Sequence, residues 1–315
     1  MTSIHETAYP RFKPDLTQRE LDEIYTPNET EQRFARRVGR GNASRLYLMI
    51  LLKTVQRLGY FPMLAEVPAS IVSFVTKALG VNSVPLRMLV EEEKSRARRD
   101  FIDAIRAHLK IQPITKDTDK VIELAATQAA QTKQELADII NVVIEELIRQ
   151  RYELPAFSRL NRTAFRIRNL VNEQYFHTLT DPLPTAVTSQ FDAMLTLSAG
   201  QLVTGWQQIK QDPKKPTNTE VRQYLERVKW LKSWACELPQ VDHIPVVKRG
   251  QYVYEARALD AADLKAMQQN KRYALMVLLF HAQLSKALDD AVDIFVRKMR
   301  KLHSGAVEQL QLYYQ

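Results

Sequence analysis

The sharpest chemical feature of this sequence is a set of four polar residues at helical spacing, Arg159, Arg162, Arg166 and Asn169. On a helix advancing about 100° per residue they share one face, while Leu160, Ala164, Ile167 and Val171 lie on the opposite one. A helix docked by such an apolar stripe offers its guanidinium groups outward. Arginine bonds guanine edges bidentately, asparagine does the same with adenine, and either side chain holds phosphates. No acidic residue interrupts the stretch from Leu154 to Asn172, which also contains Arg168. The preceding amphipathic stretch Gln134–Arg151 reaches it through the turn YELPAF, Tyr152–Phe157.

A second acid-free window lies between Glu31 and Glu66, with Arg33, Arg36, Arg37, Arg40, Arg45, Lys53 and Arg57 inside it. Helical projection of Ser44–Leu58 places Arg45, Lys53 and Arg57 on one side and Leu48, Leu51, Val55 and Leu58 largely on the other. A turn through Pro62 and Pro68 leads on to a short helix at Ala69–Leu79. The pattern outlines a helix-turn-helix-like unit with a cationic entry arm, its turn longer than the usual three or four residues. Arg36, Arg37, Arg40, Arg45, Lys53 and Arg57 are therefore candidates for phosphate or narrow-groove contacts. The competing reading of both windows is a solvated arginine face, common on helices. Pro85–Leu109 is read that way, because Lys94, Arg96, Arg98, Arg99 and Arg106 interleave there with Glu91, Glu92, Glu93, Asp100 and Asp103.

Other chemistries lack their residues. The glycines (Gly39, Gly41, Gly59, Gly80, Gly200, Gly205, Gly250 and Gly305) fit neither a Walker nor a Rossmann phosphate loop. The histidines, His5, His108, His177, His243, His281 and His303, are never paired at metal-ligand spacing, and His281 reads as a satisfied core histidine. Asp289, Asp290 and Asp293 form the carboxylate cluster nearest to a two-metal site. They sit on the polar side of a helix opposite Leu288, Val292 and Phe295, and read as a solvated face. A single cysteine, Cys236, excludes an internal disulfide. No catalytic residue, metal site or cofactor site is expected.

The elements that must position these side chains are helical almost throughout, so an all-α fold is expected, without sustained period-two alternation. Helices are expected at Gln18–Tyr25, Glu29–Val38, Ser44–Leu58, Ala69–Leu79, Pro85–Leu109, Asp119–Gln131, Gln134–Arg151, Ser158–Tyr175, Gln190–Leu197, Glu220–Glu237, Ala261–Gln268 and Lys271–His303. Thr17 with Glu20 and Asn28 with Glu31 fit capping boxes, and Pro68 and Pro85 suit first-turn positions. Ile244–Leu259 mixes strand propensity with a helical stripe of Val253, Ala256 and Leu259, and is read as helix. Thr178–Thr185 and Asp212–Asn218 read as loops. The 315 residues suggest at least two domains. Residues 1–176 would hold two helix-turn-helix-like units, at about 1–80 and 119–176. The main boundary is placed near 176–186, with a second helical domain over 186–315. The formal net charge of +9 suits a polyanionic partner. Leu46–Leu52 and Ala274–Phe280 are too short to span a bilayer, and Met1–Pro14 is not a signal peptide, so a cytoplasmic protein is expected. The chain ends within a helical pattern, as a cut would leave it.

Three long stretches carry a family resemblance: ETAYPRFKPDLTQRELDEIYTPNETEQRFARRVGRG (Glu6–Gly41) with RLYLMILLKTVQRLGYFPMLAEVP (Arg45–Pro68), ELPAFSRLNRTAFRIRNLVN (Glu153–Asn172), and EARALDAADLKAMQQNKRYALMVLLFHAQLSKALDDAVDIFVRKMRKLH (Glu255–His303). In order and over nearly the whole chain, they resemble the N-terminal region of Tn-three family replicative transposases. The resemblance implies recognition of the terminal inverted repeats of a transposon by helix-turn-helix-type subdomains. It also implies an RNase H-like catalytic portion with an Asp/Asp/Glu metal triad, which has no counterpart in these residues, so strand cleavage is not expected of this chain. The implied partner is double-stranded DNA, with nucleoid association when bound, and no membrane or small-molecule substrate. The stretch after about residue 186 would support a homodimer or connect to the catalytic region. A stand-alone DNA-binding regulator of transposition and a helical protein–protein assembly scaffold are the alternatives; for the scaffold, Leu275, Leu278, Leu279 and Leu288 would supply a dimer face.

Overall fold

A computed structural model describes residues 2–81, 84–197, 200, 202–211 and 218–314. Among the described residues there are fifteen α-helices and no strand, so the fold is all-α. The chain forms two compact units, one of Met1–Ala130 with Glu135–Arg168, the other of Gln131–Gln134 with Asn169–Gln315.

In the first unit, α1 (Gln18–Tyr25) and α2 (Glu29–Val38) begin at the expected capping boxes, Thr17 with Glu20 and Asn28 with Glu31. The next helix, α3 (Asn42–Leu58), is the axis of the core. Every side chain from Leu46 to Val55 is buried, and α1, α2, α4 (Ala69–Ala78), α5 (Leu86–Lys94) and α6 (Ala97–Leu109) pack around it. This corrects the two-sided reading of this helix, since a helix surrounded by others loses its solvated face. Gly41 at φ 109° and Gly59 at φ 74° adopt backbone that a Cβ would strain, and they bracket the helix. Pro68 and Pro85 stand one position earlier than expected, as N-caps of α4 and α5.

Lys53 is the residue this correction affects most. It is 7% exposed and its ammonium lies 3.4 Å from Oε2 of Glu31, itself 4% exposed. Gln56 donates to the other Glu31 oxygen at 2.8 Å, and the Asn28 N–H donates to Oε2 at 2.8 Å. The carboxylate thus caps α2 and neutralises a buried lysine at once, and Lys53 is turned away from any polyanion. Such pairing is what makes burial of either charge tolerable.

The single helix expected over Pro85–Leu109 is instead α5 and α6, broken at Ser95. The Ser95 hydroxyl donates to Glu92 O at 2.8 Å and accepts from Ala97 N–H at 3.1 Å, local bonds that compete with the helical ladder. The break lets Leu89, Phe101 and Ile105 all reach the core. Two of its arginines are not solvated: Arg98 pairs with Glu93 at 2.9 Å, and Arg106 with Glu153 at 2.6 Å. Three further helices follow, α7 (Lys116–Thr132), α8 (Leu136–Arg149) and α9 (Phe157–Thr180), and the last crosses from the first unit into the second.

The second unit continues with α10 (Thr185–Met194), α11 (Gly205–Lys210), α12 (Asn218–Glu237), α13 (Val246–Ala258), α14 (Ala261–Ala266) and α15 (Gln269–Tyr313). The helix expected at Gln190–Leu197 starts earlier because Pro184 supplies its N-cap. Apart from Asn218, the expected loop Asp212–Asn218 lies outside the described residues. Ile244–Leu259 is helical as α13, and α15 extends past His303. Tyr273–Phe280 is buried throughout and packs with α12 and α13. Leu275, Leu278 and Leu279 are thereby core residues and not a free dimer face. Lys248, fully buried, donates to Gln134 Oε1 at 2.5 Å and Asn172 Oδ1 at 2.9 Å.

Lys53→Ala leaves the Glu31 carboxylate buried without its counter-charge and should cost about 3–5 kcal/mol, read as a lowered urea midpoint. Arg57→Ala, at an exposed position one turn on, should stay within about 0.5 kcal/mol. His281 is half-buried, its ring nitrogen bonded to Pro239 O at 2.9 Å, and burial holds its pKa below the ordinary value. The unfolded chain therefore takes up this proton more readily than the folded one. The stability that neutral His281 gives is present above about pH 6.5 and is lost as pH falls below it. Urea midpoints compared between about pH 7.5 and about pH 5.5 should fall less for His281→Gln than for the parent chain.

Candidate nucleic-acid interface

The expected reading helix is positioned by the short segment before it. At the end of α8, Arg151 takes left-handed backbone at φ 58°, which turns the chain out of the helix. Its carbonyl accepts from Gln112 N–H at 2.8 Å, and Glu153 N–H donates to Gln112 O at 3.0 Å. Leu154 N–H donates to Gly59 O at 2.8 Å, tying this segment to the end of α3. The Tyr9 hydroxyl donates to Pro155 O at 3.0 Å, and the Tyr9 ring contacts both Tyr60 and Phe157. Burial there pushes the Tyr9 hydroxyl well above its ordinary pKa. Arg106 donates from Nε at 3.1 Å and Nη2 at 2.6 Å to the same oxygen of Glu153. Left-handed backbone at a non-glycine residue costs of order 1–3 kcal/mol. Four neutral hydrogen bonds at about 0.5–1.5 kcal/mol each, with the charged pair above that, outweigh it.

With its start fixed in this way, α9 buries Leu160, Ala164, Ile167 and Val171, the four apolar residues expected to face inward. The polar face is divided by α7. Arg159 pairs with Asp119 and Arg166 pairs with Glu123, both at partly exposed positions. Arg162, between them in the stripe, is exposed, and its Nε donates to Ser158 O at 3.3 Å, one turn back. It is the arginine of this group left facing solvent without a carboxylate partner among the described residues. Asn169, one turn after Arg166 on the same helix, is half-buried.

The first window resolves into two places. Arg36 and Arg37 in the last turn of α2 and Arg40 in the Gly39–Gly41 turn are exposed and close together in the chain. The Arg37 guanidinium lies 5.9 Å from the Phe34 ring centroid, and half-buried Arg45 donates to Gly39 O at 3.2 Å. Arg57 is exposed at the far end of α3, twelve residues from Arg45 and so about 18 Å along the axis. It is therefore separate from the Arg36–Arg40 cluster. Its neighbour is Arg151, and the two line a hollow of about 370 Å³ with Pro10, Gln56 and Tyr152. Arg151 carries no signal in the sequence, because the left-handed turn that exposes it has no local signature.

The carboxylate cluster does not assemble a metal site. Asp290 accepts from the Tyr224 hydroxyl at 3.2 Å, and Asp293 lies 3.7 Å from Arg297. Among the described residues, no group of three or more His, Cys, Asp or Glu is placed to hold a metal ion. Nor is any helix long and apolar enough to cross a membrane among those residues.

Residues 1–167 match the family described as a domain of unknown function, DUF4158. The chain belongs to this family. The DUF4158 match ends one residue before the first unit does at Arg168, so the clamped segment and Arg159, Arg162 and Arg166 of α9 lie inside it. The transposase for transposon Tn501 of Pseudomonas aeruginosa is 25% identical over 311 residues, covering 98% of this chain and 30% of the relative. The transposase for transposon Tn3926 of Escherichia coli is 26% identical over 307 residues, covering 94% and 30%. The transposase for transposon Tn1546 of Enterococcus faecium is 20% identical over 280 residues, covering 86% and 28%. The chain spans about 30% of the length of the first two relatives.

The clamp before α9 is open to a direct test. Glu153→Ala takes two hydrogen bonds from the half-buried Arg106 guanidinium, which keeps Asp103 at 2.9 Å, and should cost about 1.5–3 kcal/mol, by urea unfolding. Amide protons of Glu153 and Leu154 should exchange faster in that variant, while Arg162→Ala leaves both rates unchanged.

Proposed function

We propose that this chain binds double-stranded DNA at the terminal inverted repeats of a transposon, as the N-terminal, end-recognising part of a replicative transposase. The observation that carries the proposal is the set of outward-facing arginines in the DUF4158 unit. Arg36, Arg37, Arg40, Arg57, Arg151 and Arg162 are exposed, with no carboxylate partner among the described residues. The transposase names of the relatives that cover 86–98% of the chain supply the DNA class. In this reading Arg162 enters a major groove from α9, and the others hold phosphates on either side. Arg159 and Arg166 join only by exchanging Asp119 and Glu123 for the polyanion. Residues 1–176 carry recognition, residues 186–315 connect it to the rest of the transposase, and strand cleavage belongs to a catalytic region outside this chain. Such a protein works in the bacterial cytoplasm, on the nucleoid when bound.

Titration against a terminal-repeat duplex and a scrambled duplex across a salt series tests this. The repeat should be favoured, with log affinity falling by about 0.9 per phosphate neutralised for each decade of salt. Arg162→Ala should cost about 1–3 kcal/mol on the repeat and little on the scrambled duplex. Arg36→Ala and Arg40→Ala should weaken both alike, each flattening the salt slope by about one. Equal affinity for the two duplexes would reduce the surface to a general polyanion binder. No binding to either would refute the proposal.

A further inference from the structure

Three helices of the first unit end around one hollow. α3 closes at Leu58, α6 at Leu109 and α8 at Arg149. Just beyond each, the chain turns through left-handed backbone, at Gly59 (φ 74°), Lys110 (φ 56°) and Arg151 (φ 58°). The hollow between them, about 370 Å³, is of a size that takes a small organic group. Its floor is apolar, with Val55, Leu58 and Leu154 buried and Leu109 and Ile111 half-buried.

The rim is cationic. Arg57 and Arg151 line it, and Lys110 stands between the lining residues Leu109 and Ile111. All three are exposed and have no carboxylate partner among the described residues, and no residue lining the hollow is acidic. Cations at helix C-termini offset the helix dipoles, which accounts for their charge. It does not account for the apolar floor left open beneath them. Nor does it explain left-handed backbone at two residues with full side chains, a conformation that collects at ligand clamps.

One carboxylate would satisfy one of these cations. Three unpaired cations around a single apolar floor suit a strand that brings a phosphate on each side of a flat ring, which is a nucleotide. Gln56 and Tyr152 line the same hollow and carry polar atoms for the edge of a base. Gln56 spends its Nε2 on Glu31 at 2.8 Å, so its carbonyl oxygen is the atom it has to offer.

We propose that this hollow takes a single nucleotide that has left the duplex stack. Its base lies on the floor of Leu58 and Leu154, and its flanking phosphates lie on Arg57, Lys110 and Arg151. The inference rests on the DNA reading above and adds to it a place where one base is unpaired.

The test titrates the 315-residue chain against terminal-repeat duplexes that carry one unpaired thymine at successive positions. At one position the bulged duplex should bind about ten-fold tighter than the perfect one, because the base no longer has to be unpaired and unstacked. The same bulge without its base should lose that gain. Ile148→Trp, at a 57% exposed position on the rim, should bring the ratio to about one with the urea midpoint of the parent chain. Arg36→Ala should weaken both duplexes and leave the ratio as it was. A photoreactive thiothymine in the favoured bulge should cross-link the parent chain at Tyr152 or Ile148, a readout that needs no variant. A perfect duplex bound as tightly as every bulged one, or a gain that survives loss of the base, would overturn the inference and leave the DNA reading standing. Tight binding of a peptide of alternating aspartate and phenylalanine, by a chain without any bulge preference, would assign the hollow to an acidic protein partner instead. Binding of no duplex would refute the DNA reading and this inference with it.

Discussion

The hydrogen bond from Leu154 N–H to the Gly59 carbonyl, 2.8 Å long, is the constraint on which the arrangement of the first unit turns. It joins the end of the core helix α3 to the segment that launches α9, and Gly59 is free to offer that carbonyl because it sits at φ 74°. A Cβ there would come within 3.1 Å of Leu154, so the same glycine sets both the direction of the carbonyl and the closeness of the approach. Around this bond the Arg106–Glu153 pair, the Tyr9–Pro155 bond and the Gln112–Tyr152 bridge fix the segment from three further sides. A helix that presents side chains to a partner must start from a held point, because a shift at its first turn moves every residue of its outer face.

Charge in this protein is sorted by burial. Lys53, Arg98 and Arg106 are used up by Glu31, Glu93 and Glu153 inside the first unit, where pairing is the condition for their being buried at all. Arg159 and Arg166 are in an intermediate state, paired with Asp119 and Glu123 but open to solvent, where an ion pair is worth about 1 kcal/mol or less and can be exchanged. Arg36, Arg40 and Arg162 stand in solvent. The formal charge of +9 says little by itself; what matters for the DNA reading is that Arg36, Arg40 and Arg162 are exposed on the unit that the DUF4158 match covers.

The all-α class and the starts of α1 and α2 were legible because capping boxes are local, and the inward stripe of α9 because its period is clean. The role of α3 was not. Its apolar content suggests one buried face, and only the helices around it show that the middle of its cationic side, at Lys53, is covered as well. Lys53 was misplaced for that reason, since a lysine on a helix looks the same in sequence whether or not a distant glutamate reaches it. Arg151 was passed over because left-handed backbone at an arginine is imposed by the Gln112 and Leu154 bonds and not by its neighbours in the chain. The break at Ser95 was missed because serine inside a charged helix is common and becomes a stop only when its hydroxyl bonds locally.

A structure of this chain bound to a duplex carrying a transposon terminal repeat would test the proposed DNA contacts most directly. In that complex the first half of α9 should lie in a major groove with Arg162 at a base edge, Lys53 still paired with Glu31, and Arg36 and Arg40 on phosphates. DNA bound elsewhere, with Arg162 in solvent, would contradict the proposed contacts.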